Sequence, residues 1–295
     1  MFMLFRNWKS NTMKKALLAS CVVILIAFSV YFGLPLFLKT MGLHAHYQGQ
    51  SFGLGDHKAL IITTSRGVLG DTGKKTGVYA SEMTVPYYEF LDAKMQVDVA
   101  SIDGREIPIE PISLNWPVAT PSDRRFLTDS DFQKKAKNSL KIDDVDFTRY
   151  DLIYMAGGWG AAYDLGTSEV LGRKISEAYS TKIILGSVCH GALGFLKAKD
   201  ENGNPLVKGR RMTAVTDKQV KELGIEITPQ HPERELRASG ALFESETAFR
   251  DMFANHVVID GTIVTGQNQN AGAETAQKMM DILNAKKTGH SIGKK

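Results

Sequence analysis

ILGSVCHGALGF, residues 184–195, decides how this chain is read. KIILGSV (182–188) is a short apolar run that predicts a buried strand, and CHGALGFL (189–196) opens a helix straight after it. In an open α/β sheet such a junction lies at the carboxyl end of the strands, where sites gather. Gly186 and Gly191 are expected to permit the sharp turn that presents Cys189. The arrangement resembles a nucleophile elbow, with Ser187 in place of the first glycine of G-x-nucleophile-x-G. A helix start also offers free N–H groups and a positive dipole end, both favouring a thiolate. A buried, inert cysteine competes with that reading, because cysteine is among the most buried residue types.

The same alternation runs outward in both directions. KALIITTS (58–65) predicts a first strand, SEMTVPYYEFLDAK (81–94) a helix started or interrupted near Pro86, and QVDVASI (96–102) a second strand. YDLIYMAGG (150–158) predicts a strand entering a glycine turn, and TSEVLGRKISEAYS (167–180) a helix. VVIDGTIVTG (257–266) carries an Asp-Gly hairpin signal between two β-branched runs. AETAQKMMDILNA (273–285) places Ala276, Met279, Met280 and Leu283 on one helical face. Residues 103–149, with four prolines among 108–121 and one helix around 130–140, read as an excursion without apolar periodicity. Strands alternating with helices predict an α/β domain with a mainly parallel sheet.

The amino terminus is of another kind. Residues 16–38 are 23 in a row without a charge, and a helix needs about 20 to cross the hydrocarbon of a bilayer. Residues 1–40 hold Arg6, Lys9, Lys14, Lys15 and Lys39 and no acid. The net charge of +4 therefore belongs to this end, since the rest of the chain sets 31 bases against 32 acids. The body shows no basic surplus for nucleic acid. Four bases precede the apolar run and only Lys39 closely follows it, which predicts a single-pass protein with a cytoplasmic amino terminus. The body then lies on the extracytoplasmic side, periplasmic or extracellular. A cleaved signal competes, but the run is long for one and no clear A-x-A site follows.

The predicted organisation is a basic segment (1–15), a transmembrane signal anchor (16–38), a linker (39–54), an α/β domain (55–286) and a flexible tail (287–295). His44 and His46 form an H-x-H in the linker, read as solvated rather than as half of a metal site, and no metal or cofactor is expected. Cys21 lies inside the span, so the body carries one thiol and no internal disulfide.

A second glycine turn, AGGWGAAYDL (156–165), also ends a strand. It lacks the G-x-G-x-x-G pattern and a following acid at the right distance, which argues against a dinucleotide. The alternative is an oxyanion hole, with one N–H from Gly158 and one from His190, and Trp159 at the pocket mouth.

Five stretches together carry a resemblance: TGVYASEMTVPYYEF (76–90), AGGWGAAYDL (156–165), SVCHGALGFL (187–196), LVKGRRMTAVTD (206–217) and VVIDGTIVTGQNQNAGAETA (257–276). In this order they resemble the ThiJ/PfpI superfamily, the class I glutamine amidotransferase-like fold. The likeness is to its branch of glutathione-independent glyoxalase III and chaperone-deglycases, and it covers roughly residues 55–286. It implies a flavodoxin-like, doubly wound, mainly parallel sheet with helices on both faces, here preceded by one transmembrane helix. It also implies Cys189 as nucleophile, His190 as its base, and Glu82 as a buried glutamate against the sulfur. Read alone, Glu82 is equally an exposed first-turn helix acid.

Two departures stand out. The branch supplies an acid to orient the histidine, and that place falls on Val220, leaving Asp217 or Glu222 to reach instead. TPQHPERELRASGA (228–241) is more polar than the family tends to be there. Its His231 and Glu233 imitate the His-x-Glu pair of amidotransferases, although a surface helix start explains HPERE as well. The resemblance implies action on a small reactive carbonyl such as methylglyoxal, giving lactate without metal or glutathione, or deglycase action, by a domain that commonly dimerises. A holding chaperone, a redox or carbonyl-stress sensor, and an amidase or peptidase using Cys189, His231 and Glu233 are the competing readings.

Overall fold

The computed structural model describes residues 2–44 and 46–288, with side chains from 13 to 286 apart from Ala45, and the chain divides into two compact units after Met41. The first unit is helix α1, Phe2–Thr40. Its stretch Met13–Thr40 has mean hydropathy 2.5 and, among the described residues, is the one helix long and apolar enough to cross a membrane. The tail expected over 287–295 lies outside the described residues from 289 onward.

The second unit is built on a seven-stranded sheet in the order β3-β2-β1-β4-β5-β9-β8. The chain runs β1 (Lys58–Thr63), α2 (Ala80–Asp92), β2 (Gln96–Ser101), α3 (Pro121–Phe126), α4 (Ser130–Lys137) and β3 (Leu140–Lys141). It continues through β4 (Leu152–Met155), α5 (Ala161–Asp164), α6 (Glu169–Ser180) and β5 (Ile184–Val188). A short two-stranded layer of β6 (Arg211–Met212) and β7 (Leu242–Phe243) encloses α7 (Asp217–Glu222) and α8 (Pro232–Ala238). The hairpin β8 (Val257–Asp260) and β9 (Ile263–Gly266) and the helix α9 (Gly272–Thr288) close the chain.

All pairings in the large sheet are parallel except β8 with β9. Both faces are covered, and alternate residues of one strand serve opposite cores. Ala59 and Ile61 of β1 pack with α2 and α9, whereas Leu60 and Ile62 pack toward α6. Strands buried on both faces need continuous apolar runs, which is what 58–63 and 182–188 show. The sequence order reverses between β1 and β4, so the crevice at their carboxyl ends is the topological switch point.

Three local expectations change. Residues 103–149 are not a detached excursion: α3 and α4 bring Phe126 and Phe132 onto Tyr87 and Tyr88 of α2, with Tyr87 and Phe132 stacked at 3.5 Å between centroids. Each such aromatic pair contributes about 0.5–1.5 kcal/mol beyond its burial. Isolated aromatic anchors on two short helices leave no sustained period to detect. The hairpin turn is Gly261–Thr262 rather than Asp260–Gly261, with Gly261 at φ +63 in the first central position, the pattern of a II′ turn. Finally, Cys189–Phe195 forms a 3₁₀ turn, not the start of an α-helix, because its small residues press against Met155 of β4.

The segment after α1 is also tied down, against the expectation of a solvated linker. Leu43 and Leu54 are buried, and the His44 backbone N–H donates to Asn270 Oδ1 at 2.8 Å. The His44 ring faces the backbone carbonyls of Val118 and Gln269, and burial lowers its pKa to about 4. Tyr47 lies beneath the Lys278 ammonium, and Gln50 donates to Asp281, so this stretch runs along α9. His46 is exposed. Among the described residues no group of His, Cys, Asp and Glu could hold a metal ion.

Candidate active site

Cys189 follows β5 directly and has φ +57, a left-handed conformation that a residue with a Cβ seldom adopts. That strain turns the side chain back over the end of the sheet and is the mark of a nucleophile elbow. The left-handed residue is Cys189 itself rather than a glycine, while Gly191 lets the turn close on β4, where an added Cβ would stand 2.1 Å from the Met155 carbonyl oxygen. Gly186 instead lies within β5, where an added Cβ would stand 2.2 Å from Met279 Sδ of α9.

Three elements converge on the sulfur. α2 brings Glu82, which is 1% exposed, so its carboxyl is in the interior rather than on a helix surface. Its carboxyl lies against Cys189 Sγ and the Gly157 N–H, both of which favour its charged form, and its Oε2 is buried without a hydrogen-bond partner. β4 ends in Gly157–Gly158, and the Gly158 and His190 N–H groups both donate to Sγ. The two N–H groups expected to hold a substrate oxyanion thus hold sulfur in the free protein. His190 Nδ1 is 3.4 Å from Sγ, and its ring is fully buried.

The glycine turn has no room for side chains. A Cβ on Gly157 would meet Glu82 Oε2 and the His190 nitrogen, each at 2.6 Å. Gly158 has φ +103, and a Cβ there would lie 2.3 Å from the Tyr79 nitrogen. Trp159 is half-buried and packs against the same apolar cluster as Cys189.

Burial governs the protonation states. It raises Glu82 to about 8, so the carboxyl keeps its proton at neutral pH. Burial and the neighbouring Glu82 push the Cys189 thiol well above its ordinary range, against the pull of the two N–H donors. A thiol 5% exposed beside a carboxyl differs from the freely accessible thiolate that the helix-start argument anticipates. Burial, assisted by His231, lowers His190 to about 3, leaving a neutral imidazole.

The candidates for an orienting acid separate. Glu222 accepts the Asp251 N–H at 2.8 Å and faces Lys218, away from the site. Asp217 heads α7 with its N–H held by Glu233 Oε2 at 2.9 Å, and its Oδ1 is 3.9 Å from His231 Nδ1. Val220 is buried among the apolar residues around Cys189. His231 is not on a surface helix start but 7% exposed at the N-cap of α8. Glu233 is occupied by Asp217 and Arg237, so His231 faces Asp217 in place of the anticipated Glu233.

Sequence reasoning missed Tyr154 and Tyr79. Tyr154 of β4 is fully buried, its hydroxyl has no hydrogen-bond partner, and burial beside Glu82 and Cys189 holds its phenol protonated, well above the ordinary range. Tyr79, just before α2, is likewise raised by burial and by Glu82. The available signal is one phenol in the apolar strand LIYM that leads into the glycine turn.

The comparisons agree with this architecture. The family model described as the DJ-1/PfpI family matches residues 75–282. Glyoxalase 3 of Candida albicans is 28% identical over 230 residues, 75% of this chain and 95% of the relative. The Schizosaccharomyces pombe protein named probable glutathione-independent glyoxalase hsp3104 is 29% identical over 179 residues, 59% of this chain and 80% of its own length. The crystal structure of Rapid Encystment Protein 24 KDa from Francisella tularensis superposes with TM-score 0.72 at 30% identity, covering 77% of this chain and 99% of that one. Glyoxalase III of Candida albicans superposes with TM-score 0.71 at 26% identity, covering 77% and 98%. The match takes in every strand from β2 to β9, the glycine turn and the strained cysteine, and the chain belongs to the DJ-1/PfpI family.

Proposed function

We propose that the protein is a membrane-tethered, Cys189-dependent enzyme that converts small 2-oxoaldehydes such as methylglyoxal to 2-hydroxy acids without glutathione. One observation carries the reading: Cys189 Sγ lies between the Glu82 carboxyl, His190 Nδ1 and two backbone N–H donors. Relatives named glutathione-independent glyoxalases support the substrate class. A relative from Staphylococcus aureus named protein/nucleic acid deglycase keeps deglycase action within the proposal.

The chemistry follows from the site. Sγ adds to the aldehyde carbon as His190 Nδ1 receives the thiol proton, giving a hemithioacetal. His190 is a weak base in the free site, and its basicity rises only as negative charge develops beside it. A proton then leaves the former aldehyde carbon and returns to the adjacent carbon through an enediol, with His190 and the protonated Glu82 on either side of the transfer. The Gly158 and His190 N–H groups, released from sulfur, take the developing oxyanion. Water hydrolyses the resulting thioester, releasing lactate and restoring the thiol.

The tether is α1, whose charge distribution supports a cytoplasmic amino terminus and a domain across the membrane. Alkaline extraction of membranes should leave the protein in the pellet, and protease added to intact cells stripped of any outer layer should digest the domain. Release into the wash, or full protection, would contradict this placement.

The catalytic proposal is tested by acid-quenching a reaction with methylglyoxal and mapping the peptides by mass. A lactoyl adduct on the Cys189 peptide, removed by hydroxylamine, is expected. Carbonyl consumption with the adduct only on lysines and arginines would overturn it.

A further inference from the structure

Val220, the position on which the family resemblance places an orienting acid, is 1% exposed and offers no polar group. His190 turns Nδ1 to Cys189, and its other nitrogen, Nε2, is buried with no hydrogen-bond partner. A buried polar atom without a partner costs about 1–3 kcal/mol and marks a missing group. A second such atom is Asp217 Oδ1, which is also buried and forms no hydrogen bond. His231, itself buried, directs Nδ1 at Asp217 Oδ1 over 3.9 Å. Helix α8, which His231 caps, packs against the 3₁₀ turn that carries His190. His231 is also the one ionisable group whose charge acts on His190.

The surroundings hold this arrangement in place. Glu233 accepts the Asp217 N–H and pairs with Arg237, which locks the start of α7 to α8. Arg234 Nε approaches Asp217 Oδ2 at 3.8 Å, leaving Oδ1 to His231.

We propose that His231, backed by Asp217, is the positioning residue for His190, a His–His–Asp chain standing in for the direct acid. For Nδ1 to act as a base toward sulfur, the His190 proton must sit on Nε2. The His190 Nε2–H then donates a hydrogen bond to the Nε2 of His231, whose Nδ1–H donates to Asp217 Oδ1. Closing about 1 Å between His231 and Asp217 brings the pair to hydrogen-bond distance. The inference rests on the glyoxalase reading for its kinetic test but not for its spectroscopic one.

The experiment uses the full chain, selectively ¹⁵N-labelled at its seven histidines, with His231→Ala, His231→Gln and Asp217→Asn. Imidazole ¹⁵N shifts should show wild-type His190 as one tautomer with the proton on Nε2, and as a mixture in His231→Ala. With methylglyoxal, His231→Ala should lose about 10–100-fold in kcat with KM nearly unchanged, and His231→Gln, which can still accept, should recover part of it. Should His231→Ala not fold, Asp217→Asn tests the same link through the tautomer. An unaltered His190 tautomer in folded variants overturns the relay. Absence of turnover in the wild type, with the tautomer change intact, overturns the substrate assignment alone.

Discussion

Glu82→Gln isolates the most unusual electrostatic feature of the site. The folded carboxyl has a pKa of about 8 against an ordinary 4.5, because it is wholly buried and the neighbouring Cys189 and Gly157 groups do not compensate. A carboxyl whose folded pKa lies above its unfolded value stabilises fully below pH 4.5 and loses that contribution as pH rises toward 8. Glutamine is neutral throughout, so the variant lacks this dependence. Between pH 4.5 and 7, at about 1.4 kcal/mol per pH unit, the wild type should lose about 3 kcal/mol relative to Glu82→Gln. For a domain of this size that is a change of about 6–12 °C in the difference between their melting temperatures. The assay is thermal unfolding of both full-length proteins in detergent at half-unit steps from pH 4.5 to 8. The variant should gain on the wild type steadily over that range. A difference in melting temperature that stays constant across it would refute a raised Glu82 pKa and the proton-sharing site built on it.

Other consequences can be measured separately. Iodoacetamide should alkylate Cys189 slowly at neutral pH and faster as pH rises, because burial and Glu82 hold the thiol protonated; fast alkylation at pH 6 would contradict this. Gly157→Ala forces a Cβ between Glu82 and His190 and should cost about 100-fold in kcat/KM, read from initial rates, through misplacement alone. Tyr154→Phe removes a buried hydroxyl with no partner, so its unfolding free energy in urea should stay within about 1 kcal/mol of wild type. His44 has a folded pKa of about 4, below 6.5, so it stabilises above pH 6.5 and loses that contribution as pH falls toward 4. His44→Leu should therefore make acid unfolding shallower by about 1.4 kcal/mol per pH unit in that window, measured by urea titration.

The fold was legible because parallel strands buried on both faces must be continuously apolar, and β1, β4 and β5 each carry such a run ending in turn residues. The ends of those strands also located the site, through glycines that no helix or strand requires. Protonation states were not legible. A helix-start argument favours thiolate, but it leaves out the desolvation that Glu82 and Cys189 experience once α2 brings the carboxyl into the interior beside the sulfur. The polar look of HPERE concealed His231, since Glu233 and Arg237 answer each other at the surface while the histidine turns inward. Likewise His44 reads as a solvated linker residue until Leu43 and Leu54 anchor the segment on either side. Contacts between distant elements decide these cases, and no local period records them.

The central claim is that Cys189 turns over a small 2-oxoaldehyde. Its most direct test is lactate formed from methylglyoxal by the purified full chain in detergent, without glutathione, beside Cys189→Ala. Lactate in proportion to methylglyoxal lost, absent from the folded variant, is the predicted result. Equal lactate from Cys189→Ala, or none from a wild type whose Cys189 is intact, would contradict it.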